Sequence, residues 1–312
     1  MSKTFAAIDI GTNTILLLIA AVKSGGEFEV LEDRAEITRL GEGVDHSRMI
    51  SADAEKRGLG VLTEYVEICR RLKVNKVAAV GTSVFRDAQN SGEFSRRLKR
   101  DLDLELRILS GAEEAFYSFW AVQEGLSLGD GEALVVDVGG GSTEFVWGKE
   151  GRVQRVASLD LGSVRLTERF LHSDPVLDEE FLRLEAEVDM ALTPLARDWG
   201  QEAAFQKLVG IGATFTTLAA IEKRLRRYSH ADLHGSFLVR PEVQRQVRMF
   251  RTKTVAERKK IQGLEPGRAD VILSGALLIE RIMARFRFPG ALCSDQGVRY
   301  GVLREMISKQ HP

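Results

Sequence analysis

The chain is poor in the residues that build metal clusters and disulfide frameworks: two cysteines and five histidines in 312 residues. Cys69 and Cys293 lie far apart and make no paired spacing. That excludes a zinc module and a disulfide-stapled fold, and it fits a reducing cytoplasm. Cys69 falls on the apolar face of a helical stretch and reads as core. His230 and His234, in "HADLH", have helical i, i+4 spacing, but no Glu stands between them as in a zinc-protease helix. The stretch reads as a loop, and no metal site is expected there. No apolar run reaches the ~20 residues of a membrane span, and Met1-Ser2-Lys3 leads into a strand pattern rather than a signal peptide, so no membrane partner is expected. Lys and Arg total 44 against 45 Asp and Glu, a net charge of −1. No global field therefore attracts nucleic acid, and an anionic ligand must be drawn by a local cluster. What remains is ordinary: 44% hydrophobic, 29% charged, enough apolar sequence for about two domains, each with its own core.

Glycine beside acid is what the chain does have. "FAAIDIGTNTILLLIA" (5–20) and "ALVVDVGGGSTEFVWG" (133–148) share one layout: an apolar strand ending in Asp, a glycine turn, then a second strand. Asp9 and Asp137 are 128 residues apart, as are Gly11 and Gly139. A spacing that long is a duplicated domain rather than a solenoid repeat. The pattern predicts two related α/β domains, 1–127 and 128–312, with the glycine-rich "GLSLGDGE" (125–132) as hinge and the final helix packing back on the first domain. Other elements follow from periodicity. A Ser-capped helix spans 51–73, with Leu59, Leu62, Val66, Cys69 and Leu72 on one face. Strands fall at 76–82, 104–109, 207–211 and 291–294, and helices at 111–124, from 214, from 269 and after 297.

Tight glycine turns expose backbone N–H groups in a concave array that suits phosphate oxygens, because only glycine lets a backbone approach that closely. Gly11, Thr12, Asn13 and Thr14 form one such array. Gly139, Gly140, Gly141, Ser142 and Thr143 form the other, with the hydroxyls as added donors. The carboxylates Asp9 and Asp137 can hold Mg²⁺, or Mn²⁺, directly or through water. Arg86 follows a strand in a polar loop, and its guanidinium fork suits a phosphate chain. Arg39 and Arg165 are weaker candidates of the same kind. Ser110-x-x-Glu113 reads as a capping box, which leaves Glu114 without a capping duty.

These segments recur in one order with "GTSVFRDAQN" (81–90), "ILSGAEEA" (108–115), "DLGSVRL" (160–166), "GIGATFTTLAA" (210–220), "RADVILSGA" (268–276) and "SDQGVRYGVL" (294–303). Together they resemble the exopolyphosphatase/guanosine pentaphosphate phosphohydrolase family, over essentially the whole chain. The resemblance implies two actin-like, ribonuclease H-like domains with the site in a cleft between them. It also implies Mg²⁺-dependent release of terminal phosphate to water, with Glu114 as general base and Glu144 as a second acid for metal or water. The third loop departs from the family's Gly-Gly-Thr or Ser-Gly-Thr. Here it is Gly212-Ala213-Thr214, and alanine accepts positive φ poorly, so Gly212 is retained as a phosphate contact with the loop geometry open. Longer family members carry a further helical domain with His-Asp pairs, a pattern missing from these 312 residues. The basic residues Lys223, Arg224, Arg226, Arg227, Lys253, Lys259 and Lys260, with few aromatics near them, favour inorganic polyphosphate over guanosine pentaphosphate as substrate. The alternatives are the nucleotide, a small-molecule kinase of the same fold and a non-catalytic alarmone binder. Oligomeric state is left open, a homodimer included.

Overall fold

The computed structural model describes residues 3–23 and 27–309. Met1 and Ser2, which the sequence reading runs into the first strand, lie outside that range. Eleven strands are described: β1 Thr4–Ile10, β2 Thr14–Val22, β3 Phe28–Ile37, β4 Lys76–Gly81, β5 Leu106–Ile108, β6 Ala133–Val138, β7 Thr143–Lys149, β8 Arg152–Leu159, β9 Lys207–Ile211, β10 Phe237–Val239 and β11 Gly290–Ser294. They form a five-stranded sheet, β3-β2-β1-β4-β5, and a six-stranded sheet, β10-β11-β9-β6-β7-β8. In each, a meander of three antiparallel strands opens the sheet and parallel strands complete it. The second sheet therefore repeats the order of the first and adds the antiparallel β10 at its far edge. The α/β class and the duplication are both as the sequence implies.

The chain groups into two compact units, 1–121 with 298–312, and 122–297. Residues 122–127, which the sequence pattern assigns to the first domain, thus group with the second unit. The reason is local. The helix Gly111–Leu126 runs through the boundary without a break, and at its last turn Gly125 lies against Gln296 and His234. Residues 125 and 126 of the expected hinge are accordingly helical.

In the first unit β1 is buried along its whole length. A central strand covered on both faces needs an unbroken apolar run rather than alternation, and "TFAAIDI" supplies it. One face packs under the helices Ala52–Arg71 and Ser91–Leu102, through Leu62, Tyr65, Phe94 and Leu98. The other packs under Gly111–Leu126 and the final helix Val298–Ser308, through Tyr117, Ala121, Leu303 and Ile307. Gly301 permits that second pair: a Cβ there would stand 2.3 Å from the Tyr117 carbonyl oxygen. Asp33 on β3 ties the final helix to the sheet by accepting from the Arg299 guanidinium and the Tyr300 hydroxyl.

The second unit's core joins β6, β7 and β9 to the helices Asp178–Glu202, Ala213–Glu222, Arg240–Arg251 and Ile272–Arg285. The helix expected from 269 begins at Ile272, after a 3₁₀ turn at Pro266–Arg268. Cys69 and Cys293 are free and buried. Burial pushes their thiols up to about 11 and about 12, so both stay protonated and unreactive near neutral pH. Among the described residues no helix is long and apolar enough to cross a membrane.

Candidate functional site

The two glycine turns are alike at the level of single atoms. Gly11 N–H donates to the Thr14 carbonyl at 3.0 Å, and Gly139 N–H donates to the Ser142 carbonyl at 3.0 Å. A Cβ on either glycine would stand 3.0 Å from that same oxygen. Each turn thus favours glycine at its first position, where a Cβ would crowd that oxygen, and the matched spacing in sequence reflects this constraint.

The turns differ in what faces the aspartate. Asp9 on β1 is paired with Leu16 on β2, whereas Asp137 on β6 is paired with Glu144 on β7. Leu16 and Glu144 occupy equivalent places in the repeat, also 128 residues apart. Two carboxylates directly opposite on neighbouring antiparallel strands repel, and Glu144 is only 1% exposed. Ser142 Oγ and Ser158 Oγ both donate to Glu144 Oε1, at 2.8 and 2.9 Å. Ser158 sits on β8, and its part became visible only when β7 and β8 paired. A solvated strand acid is therefore excluded for Glu144. The Asp137 carboxylate is bordered by two glycines: a Cβ on Gly212 would lie 3.1 Å from Oδ1, and one on Gly297 3.8 Å from Oδ2.

That acid pair, with bare backbone beside it, is a donor set for a hard cation. Among the described residues no group of three or more His, Cys, Asp or Glu is arranged to hold a metal. Mg²⁺ does not need one, since it is commonly held by one or two carboxylates plus waters and substrate phosphates. The residues present fit Mg²⁺ on those terms.

The Gly139–Thr143 loop is held from behind by the "DLGS" turn. The first N–H groups of the helix Ser163–Phe170 satisfy loop carbonyls: Ser163 donates to Gly139 O, and Val164 and Arg165 to Gly140 O. Helix N-termini leave such donors unsatisfied, and here the loop supplies the acceptors. Arg165 is buried, and its Nε donates to the Gly141 carbonyl at 2.8 Å, so this side chain braces the loop. Gly162 makes the approach possible, because a Cβ there would be 2.2 Å from Gly140 O. The Thr143 hydroxyl donates to Leu161 O at 2.5 Å, and Ser142 donates to Glu144. A hydroxyl has one proton to give, so in this arrangement both are committed within the protein. The donors left open to a ligand are backbone N–H groups, since among the described residues no acceptor faces those of Gly140 and Gly141.

The third loop resolves the question raised by Ala213. The positive φ, +91°, falls on Gly212. Ala213 opens the helix Ala213–Glu222, where alanine is favourable. Gly212→Ala should be costly: besides the strained φ, its Cβ would stand 2.7 Å from Val138 O and crowd Asp137. We expect a loss of about 1–3 kcal/mol and reduced turnover. Thermal denaturation together with a phosphate-release assay checks this, and an unshifted melting temperature would contradict it.

In the first unit, Glu113 and Glu114 divide as their positions imply. Glu113 completes the capping box with Ser110, in both directions, and pairs with Arg107. The Ser110 backbone N–H and then the Arg107 guanidinium hold its carboxyl down at about 2. Glu114 is 8% exposed, and its Oε2 accepts from Arg86 Nη1 at 2.8 Å. The same Nη1 donates to the Leu109 carbonyl at 2.9 Å. Arg86, taken from the sequence as a phosphate contact, thus grips the candidate base. Thr12 Oγ1 is bonded to Ser83 Oγ at 2.8 Å, which links the first glycine turn to the Arg86 segment. Asn13 O accepts from the backbone N–H groups of Thr38 and Arg39. Arg39 itself sits at φ 52°.

Of the two histidines expected in a loop, His230 opens a short helix and His234 is the turn residue that follows it. Ser229 caps a single helical turn, His230–Leu233, by accepting from Asp232 N–H, and both imidazoles meet Asp295.

A profile of the Ppx/GppA phosphatase family matches residues 18–310. An exopolyphosphatase 2 of Mycobacterium tuberculosis is 36% identical over 290 residues, covering 90% of each chain. Among solved structures, the Ppx/GppA family member of Aquifex aeolicus is 33% identical with a TM-score of 0.83 and complete coverage of both chains. An exopolyphosphatase of Cytophaga hutchinsonii is 28% identical with a TM-score of 0.91, covering 98% of each.

Proposed function

The chain belongs to the Ppx/GppA phosphatase family, and from that premise we propose that it is an exopolyphosphatase, releasing terminal orthophosphate from inorganic polyphosphate with water as acceptor. One observation carries the reading: the opposed acids Asp137 and Glu144 stand beside a glycine loop whose carbonyls are tied back and whose N–H groups are presented. This is equipment for a phosphoanhydride, a substrate dense in negative charge. The N–H groups of Gly140 and Gly141 bind non-bridging oxygens of the phosphoryl group. Asp137 and Glu144 hold Mg²⁺, which when bound neutralises charge developing on the phosphoanhydride. Glu114 orients the attacking water and accepts its proton. Arg86 keeps that carboxylate in place by a charge-assisted hydrogen bond. Asp9, whose cross-strand neighbour is the aliphatic Leu16, contributes a further carboxylate for Mg²⁺. Buried free thiols suit a reducing compartment, and we place the enzyme in the cytoplasm.

Polyphosphate is favoured over guanosine pentaphosphate by the second unit's surface. Lys223, Arg224, Arg226 and Arg227 are all exposed along one short segment, with Tyr228 as the aromatic beside them. A nucleobase would want an enclosed stacking pocket, whereas a polyanion wants successive cations. The deciding experiment measures phosphate release in Mg²⁺ buffer, with no other acceptor, from a short polyphosphate and from guanosine pentaphosphate at two salt concentrations. We expect a higher kcat/KM for polyphosphate, falling as salt rises. A clear preference for the nucleotide with little salt dependence would reassign the substrate. No release from either would remove hydrolysis and favour a kinase or a binding protein.

A further inference from the structure

Strands β6, β9 and β11 run parallel, so their C-terminal ends share one edge of the second unit's sheet. The register aligns that edge: Asp137 pairs with Ile211, and Ile211 pairs with Ser294. Asp295 is the next residue. It therefore stands about two strand spacings, ~10 Å, from the strand end that carries Asp137. The chain then turns back toward that acid, since Gly297 borders the Asp137 carboxylate. In open parallel sheets this C-terminal edge is where ligands bind.

Asp295 is 7% exposed and gathers three side chains. His230 Nδ1 and the Tyr228 hydroxyl both meet Oδ2, the latter at 3.0 Å, and His234 Nδ1 lies 3.1 Å from Oδ1. The two imidazoles stack with ring centres 5.1 Å apart and planes 11° from parallel. His234 Nε2 faces the Gly125 carbonyl at 3.2 Å. His234 Nδ1 lies beside Asp295 Oδ1 without a hydrogen bond between them, so His234 packs against the carboxylate while its Nε2 meets the Gly125 carbonyl. Burial works against the charge on each, yet the Asp295 contact and the Gly125 carbonyl leave His234 raised, and the histidines with Tyr228 leave Asp295 lowered.

His230 is then fixed differently from His234. Its Nδ1–H is held by Asp295, which sets its orientation and leaves Nε2 as the outward nitrogen, on a side chain 51% exposed. A purely structural triad would have no reason to present that nitrogen to water. Lys223, Arg224, Arg226 and Arg227, all exposed, precede His230 closely in the chain. Metal ligation does not fit: both Nδ1 atoms and His234 Nε2 face oxygens, and no metal-holding group exists among the described residues.

We propose that His230, oriented by Asp295, is a second phosphate-binding position, which takes an inner phosphate of a chain whose end is held at the Asp137 loop. The inference deepens the exopolyphosphatase reading and rests on it. A proton on Nε2 lets His230 donate to a phosphate oxygen while Asp295 holds the opposite side of the ring. A triphosphate held at the loop is too short to use the position, and longer chains gain from it.

His230→Gln tests it, because glutamine keeps a hydrogen-bonding group near Asp295 and loses the imidazole. Steady-state kcat and KM are measured for tripolyphosphate and for long-chain polyphosphate, with guanosine pentaphosphate as a third substrate and the melting temperature as a check on folding. We expect KM for the long chain to rise about 3- to 10-fold, the size of one exposed charge-assisted contact, with kcat unchanged and tripolyphosphate unaffected. Equal losses on both polyphosphates, or no loss on either, overturn the proposal while leaving the activity standing. A wild-type enzyme that hydrolyses only the nucleotide, or nothing, overturns the substrate reading and this inference together.

Discussion

Replacing Glu114 with glutamine is expected to lower phosphate release ~10²-fold or more, the scale for a positioned general base. The change is nearly isosteric. Its amide carbonyl can still accept from Arg86 Nη1, which now serves Glu114 Oε2 and Leu109 O. The pocket should keep its shape and KM should change little, so the loss falls on kcat. Glu113→Gln is the matched control one residue away. Its carboxylate caps the helix and pairs with Arg107 on a side chain 41% exposed, so turnover should persist and stability should fall by well under ~1 kcal/mol. The pH dependence of that small term has a definite sign. The folded carboxyl sits at about 2 against an ordinary 4.5, so the contribution is complete above pH ~4.5 and vanishes as pH falls toward 2. Removing Arg86 should mimic part of the Glu114 loss, and the double variant should lose far less than the product of the two, since both act on one carboxylate. Near-normal kcat in the Glu114 variant would remove it from the chemistry.

The pair Glu113 and Glu114 also shows what a sequence can reveal. Their division of labour follows from a local rule, the capping box, and so was legible without coordinates. The same holds for the two glycine turns, whose tight geometry forces a recognisable phrase, and for the strongly apolar β1 and β6. The helix Asp178–Glu202 and the strands β3, β8 and β10 were not placed, because charged or short segments take their state from what they pack against. At the site, illegibility tracked distance along the chain. Arg86 reads from the sequence as a phosphate ligand, and its grip on Glu114, 28 residues on, is visible only in the fold. Thr143 looked like a donor to substrate until Leu161 was found to take its proton. His230 and His234 carried no meaning without Asp295, which lies 65 residues beyond His230. Ala213 was the reverse case. The departure from the family's glycine looked disruptive, yet the left-handed φ belongs to Gly212 and Ala213 is already helical.

Glu144 should give the most informative variant, because activity and stability are expected to move in opposite directions. It faces Asp137 across the β6–β7 ladder at 1% exposure, so without a cation the folded protein carries two opposed acids on one hairpin. Glu144→Gln removes one charge. The amide oxygen can keep the hydrogen bonds from Ser142 and Ser158, and the new amide N–H group faces Asp137 as a donor. Relief of cross-strand repulsion is worth about 0.2–1 kcal/mol, so in chelator the variant should melt at or above the wild-type temperature. Turnover should nevertheless fall by ~10² or more, since the carboxylate that helps hold Mg²⁺ is gone. Titrating Mg²⁺ into each protein supplies a readout independent of turnover. Wild type should gain thermal stability with rising Mg²⁺, as any ligand that prefers the native state requires, and the variant should gain little. A variant that unfolds at lower temperature in chelator while keeping the Mg²⁺ response would mean that Glu144 is a structural acid, and that Asp137 meets the cation without it.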